Sequence, residues 1–90
     1  MVELPGYNAV KEALHAHLID IGSATVPVEA YWSLAETLKL TAEQLALKRR
    51  DARGSAWENR VQWAKRKLVE EGIMDQGWHG VWCLRPNHAG

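Results

Sequence analysis

Ser55-Ala56-Trp57-Glu58-Asn59-Arg60-Val61-Gln62-Trp63-Ala64-Lys65-Arg66-Lys67-Leu68-Val69-Glu70-Glu71 is the stretch whose periodicity decides the architecture. At about 100° per residue, Trp57, Val61, Ala64 and Leu68 fall within one narrow arc, which is the pattern of a helix with a single core face. Ser55, Asn59, Gln62 and Arg66 line the opposite side. Trp63 fits neither stripe cleanly and falls between the polar stripe and Arg60; a core role, packed beneath the hairpin that follows, is the reading its bulk favours. Ser55 and Glu58 have the spacing of a capping box, so the helix opens at Ser55. Gly72 stops it after Glu71.

After Gly72 the period changes. Ile73-Met74-Asp75, Gln76-Gly77-Trp78-His79-Gly80 and Val81-Trp82-Cys83-Leu84 read as strand, turn and strand, with Pro86 ending the second strand. Upstream, Val10, Leu14, Leu18 and Ile21 mark the inner face of a helix from Tyr7 to Ile21, stopped by Gly22 and Ser23. Met1 to Gly6 is an extended lead-in, and Ala24-Thr25-Val26 a short strand or link. Pro27 opens a second helix whose stripe is Val28, Tyr31, Ala35 and Leu38, with Trp32 beside it. Thr41-Ala42-Glu43-Gln44 is a capping box that starts a brief helix towards Lys48. Three main helices, one extra short helix and a two-stranded hairpin describe a mainly α winged helix-turn-helix with a two-stranded wing.

Ninety residues make one domain, 1–90. Five Trp and a hydrophobic fraction of 47% exclude a disordered tail. The single cysteine, Cys83, allows no internal disulfide and reads as a small buried apolar residue, which suits a reducing, cytoplasmic setting. No leader and no apolar run of membrane-spanning length is seen.

The net charge is 0, but the sign is segregated. Between Lys48 and Lys67, eight basic residues face only Asp51 and Glu58, so the rest of the chain carries a matching acidic excess. Such a field steers polyanions, although a solvated helix face has the same composition. Combined with the helix pattern, it points to duplex DNA. Asn59 and Gln62 can bond adenine, Arg66 prefers guanine, and Ser55 is permissive. Arg60, Lys65 and Lys67 flank that stripe where phosphates would lie, and Arg50 and Arg53 reach from the preceding loop. The hairpin tip carries Trp78 and His79 where a groove-inserting wing usually has Lys or Arg. Trp78 either contacts sugar or base or folds back on the core.

The run Glu58-Asn59-Arg60-Val61-Gln62-Trp63-Ala64-Lys65-Arg66-Lys67-Leu68, then Gly72-Ile73, then Gly80-Val81-Trp82-Cys83-Leu84-Arg85-Pro86 resembles the N-terminal domain of Mrr-type restriction endonucleases. The likeness is strong after Ser55 and weak before Thr41. Asn59, Arg60, Trp63, Ala64 and Trp82 match by position, while Arg85-Pro86 departs from the Thr-Pro of that family. The resemblance implies a DNA-recognition module that precedes a nuclease domain and senses methylated DNA, with N6-methyladenine favoured over C5-methylcytosine. The chain is then either excised from a larger nuclease or a free-standing relative. A protruding methyl group asks for an apolar pocket, and Trp57, Trp63 and Trp78 are the candidates to form one.

Catalytic chemistry is not expected. No Glu or Gln stands two positions before a Lys, as a restriction-type metal site requires. His15 and His17 diverge on their helix, and Cys83, His79 and His88 match no standard zinc spacing. No cofactor is expected. The competing reading is a winged helix used for protein–protein contact or dimerisation, in which exposed aromatics would matter and the basic segment would not.

Overall fold

The structure is a computed structural model that describes residues 3–22, 24–48, 54–75 and 80–85. It is mainly helical: α1 spans Tyr7–Ile21, α2 Pro27–Thr37, α3 Ala42–Ala46 and α4 Ala56–Glu70. Among the described residues no helix is long and apolar enough to cross a membrane.

Each helix end follows from local chemistry. α1 ends where Gly22 adopts φ 64° and its N–H reaches the Leu18 carbonyl. Pro27, at the start of α2, has no N–H to leave unsatisfied there. α3 opens with both halves of its capping box: Thr41 Oγ1 accepts from the Gln44 amide at 3.2 Å, and the Thr41 amide donates to Gln44 Oε1 at 2.7 Å. At α4 only the forward half forms, with Ser55 Oγ accepting from the Glu58 amide at 3.2 Å. The Glu58 carboxylate instead meets the positive helix end from solvent.

α2 and α4 stop in the same way. Gly72, at φ 77°, donates to Val69 O while Ile73 donates to Leu68 O. Lys39, at φ 55°, donates to Glu36 O while Leu40 donates to Ala35 O. Both are Schellman closures, and both need a left-handed residue. Glycine meets that need after α4; lysine is strained into it after α2.

α4 packs most extensively on α1 and also meets α2 and α3. Its stripe of Trp57, Val61, Ala64 and Leu68 is wholly buried against Val10, Leu14 and Leu18 of α1 and Ala30, Leu34 and Ala35 of α2. Two stripes differ from the sequence expectation. Ile21 lies past the end of the α1 contact and is exposed. On α2, Val28 is 55% exposed and Ala30 and Leu34 take the inner face, with Tyr31 and Leu38 half-buried. The alanines permit a close helix approach that the branched Val28 would hold apart.

Residues 80–85 lie between two other chain segments. Thr25 and Trp82 exchange both backbone hydrogen bonds, at 2.9 and 2.7 Å. On the other edge Met74 faces Leu84, bracketed by Asp75 N–H to Cys83 O and Arg85 N–H to Ile73 O. Trp82 and Leu84, two residues apart, share the inward side. Met74 and Trp82 complete the core beneath them. Cys83 is half-buried, short of the fully buried position expected, because alternation turns it away from that side. The turn expected from Gln76 to Gly80 lies outside the described residues except for Gly80.

The two Schellman closures give opposite predictions for glycine. Lys39→Gly relieves the left-handed strain and should raise unfolding free energy by roughly 0.5–1 kcal/mol. Gly72→Ala introduces that strain and should lower it by about 1 kcal/mol. Urea denaturation measures both; a destabilised Lys39→Gly would contradict the backbone geometry described.

Candidate nucleic-acid interface

The polar side of α4 is held in place by the core side, so its residues have fixed relative positions. Asn59 and Arg66 are exposed and engage no other side chain among the described residues. They lie two turns apart on the outer surface, an amide and a guanidinium open to a partner. This pair is the accessible centre of the stripe expected to read bases.

The other two members of that stripe are occupied. Ser55 Oγ caps the helix. Gln62 is half-buried, and its Nε2 donates to the Tyr31 hydroxyl at 2.6 Å across the seam between α2 and α4. Its carbonyl oxygen is the atom left for another donor. Tyr31 in turn is held from three sides: Trp57 Nε1 donates to its carbonyl at 3.0 Å, Gln62 donates to its hydroxyl, and its ring stands edge-on to Trp82 with centroids 6.1 Å apart. The sequence showed Tyr31 only as part of an apolar stripe. Its hydroxyl role depends on Gln62, 31 residues away, and no local pattern reports such a pairing.

The cations assigned to phosphates are also engaged. Arg60 Nη1 donates to the Pro5 carbonyl at 2.7 Å, and its guanidinium lies 4.2 Å from the Tyr7 ring centroid. Gln44 Nε2 donates to Glu3 O at 2.7 Å, so α3 and α4 together fasten the lead-in segment. Lys67 pairs with Glu70 at 3.3 Å and lies 5.8 Å from the Trp63 ring centroid. Lys65 is half-buried and has a partner as well. Such surface pairs are weak and exchange readily for a phosphate. The Arg60 site is more firmly made, because a hydrogen bond and a ring contact coincide there.

Trp57 is 2% exposed and belongs to the core. Trp63 is half-buried against Tyr7, with ring centroids 4.5 Å apart, so it packs on α1. Arg50, Arg53, Trp78 and His79 lie outside the described residues. Among the described residues no group of three His, Cys, Asp or Glu side chains could hold a metal ion.

The Tyr31–Gln62 bond can be weighed directly. Tyr31→Phe removes the acceptor and should cost about 0.5–1.5 kcal/mol. In a double-mutant cycle with Gln62→Ala, read by thermal unfolding, the two losses should be less than additive. Full additivity would contradict the contact.

No curated protein and no solved structure matches the chain significantly. The family described as the Mrr N-terminal domain does match, over residues 8–89, which takes in α2, α3, α4, all of α1 but Tyr7, and the segments paired at Thr25, Met74, Trp82 and Leu84. The chain belongs to the Mrr N-terminal domain family.

Proposed function

We propose that this domain binds duplex DNA as a winged helix-turn-helix, with α4 in the major groove and the hairpin after it as the wing. The observation that carries the proposal is the division of α4: one side is spent entirely on the core, and the other presents Asn59 and Arg66 without side-chain partners among the described residues. Asn and Arg are the side chains that bond adenine and guanine edges bidentately. The basic excess from Lys48 to Lys67 surrounds them, which supports a polyanionic partner over a neutral one.

In this reading Asn59, Arg66 and the carbonyl of Gln62 contact bases, while Ser55 shapes the helix entry. Lys65, Lys67 and the basic residues 48–53 supply phosphate contacts, and Arg60 orients the lead-in segment against α4. Membership of the Mrr N-terminal domain family supports a role in an Mrr-type system, and the sensing of methylated DNA is proposed on that basis, with N6-methyladenine ahead of C5-methylcytosine. The domain itself performs no catalysis in this account. A nuclease domain that follows it in the parent protein would supply the cleavage.

Burying one methyl group contributes about 0.8 kcal/mol, so methylation alone should change affinity only severalfold. Fluorescence anisotropy with unmodified, N6-methyladenine and C5-methylcytosine duplexes, each at two salt concentrations, tests the proposal. Binding should weaken by about tenfold or more as salt rises to physiological strength. Asn59→Ala and Arg66→Ala should reduce sequence preference by about 1–3 kcal/mol, while Lys67→Ala weakens all duplexes alike. Salt-sensitive binding without methyl preference would leave a general DNA-binding module. No binding at low salt would reject DNA and turn attention to a protein partner.

A further inference from the structure

Trp32 is the least buried tryptophan among the described residues, at 66% exposure, and Val28 one turn before it is 55% exposed. An indole left in water needs a reason, since its apolar area is large. Trp32 forms a ridge between two hollows. Towards α1 lies an open one of about 390 Å³, which His17 and Thr25 help to line. Towards α4 lies a narrower slot of about 160 Å³, whose lining includes Tyr31, Trp32, Leu45, Ser55, Trp57 and Glu58.

The floor of the slot is rigid. Trp57 is held by its indole bond to the Tyr31 carbonyl, and Tyr31 by Gln62 and Trp82. Nothing need reorganise before a ligand enters, which lowers the entropy lost on binding. Glu58 is the one charged side chain of the lining among the described residues, and it is exposed. It is also one of only two acids in the basic stretch from Lys48 to Lys67.

The volume suits one flat ring and is too small for a helix or a peptide segment. Aromatic walls suit stacking. Glu58 adds a demand for an N–H donor, because an aliphatic group pressed against it would desolvate the carboxylate without replacing its hydrogen bonds. A cation would meet the carboxylate but would have to enter a strongly basic segment. A neutral heterocycle bearing an amino group satisfies all three conditions. We propose that the slot receives one amino-bearing nucleobase, cytosine or adenine, turned out of the duplex, stacked on Trp32 with its exocyclic amine donating to Glu58. The inference rests on the duplex-binding reading above and adds to it a site away from the groove-facing side chains.

Turning a base out is easiest where its pairing is already lost. The test is therefore anisotropy with three duplexes: one fully paired, one with a central cytosine opposite an abasic site, and one with thymine in that cytosine's place. The wild-type domain should bind the unpaired-cytosine duplex roughly tenfold tighter than the paired one, in line with the stacking of one base on an aromatic side chain. Trp32→Ala should bring that ratio near one; being exposed, Trp32 can be replaced without opening the core. Glu58→Ala should erase the preference for cytosine over thymine and keep the preference for an unpaired base. Equal binding of all duplexes by the wild type, or a preference that survives Trp32→Ala, would overturn the slot assignment while leaving duplex binding intact. Saturable binding of free cytidine with no gain for the unpaired duplex would reassign the slot to a small ligand and overturn the DNA subsite. Failure to bind any duplex would reject the proposed function and this inference with it.

Discussion

The indole of Trp57 joins the two parts of the domain that matter for its surface. It is sunk between α2 and α4, with its N–H satisfied by the Tyr31 carbonyl and the rest of the ring in the core. A tryptophan buried with its one polar atom bonded gains its full apolar contact and leaves nothing unsatisfied. Its loss at a comparable site costs about 3–5 kcal/mol, a large part of the stability a small domain has. The same anchoring sets the rotation of α4 about its axis. With Trp57, Val61, Ala64 and Leu68 inside, Asn59 and Arg66 must be outside.

Around this joint the polar contacts form a frame that positions the outer surface. Gln62 and Tyr31 close the seam with α2, Arg60 and Tyr7 fasten the lead-in to α4, and Lys11 reaches Glu71 at 2.8 Å to tie α1 to the far end of α4. None of these is strong alone: a hydrogen bond such as Gln62–Tyr31 contributes about 0.5–1.5 kcal/mol, and an exposed pair such as Lys11–Glu71 less. Together they leave α4 with few ways to shift relative to its neighbours. A surface that reads base edges benefits from that, because bidentate contacts tolerate little displacement. The charge segregation adds direction: the basic stretch and the open side of α4 belong to the same part of the chain, and the acidic excess lies elsewhere.

Much of this was legible in the sequence wherever the signal was local. α1 begins and ends at Tyr7 and Ile21 as its periodicity indicated, and the α4 core stripe is buried at all four positions. The capping box at Thr41 and the glycine stop at Gly72 were written in adjacent residues. Contacts between distant residues were not legible. The inner face of α2 was misjudged at Val28 because hydrophobicity ranks Val above Ala, whereas helix approach favours the alanines. Lys39 gave no sign of its left-handed backbone, since lysine is not a residue that seeks it. The internal partners of Gln62 and Arg60 were not legible either, because Tyr31, Pro5 and Tyr7 are far off in the chain. Trp32 was placed beside a core stripe, and only the packed fold shows it standing in solvent.

Which surface meets DNA can be read residue by residue from backbone and side-chain amide NMR shifts as a short duplex is titrated into the labelled domain. The account predicts perturbations concentrated on α4 from Asn59 to Arg66, including the Asn59 side-chain amide. The outward side of α1, at Glu12, Ala16 and Asp20, should stay unperturbed. Shifts centred on that acidic side of α1, with α4 silent, would contradict it.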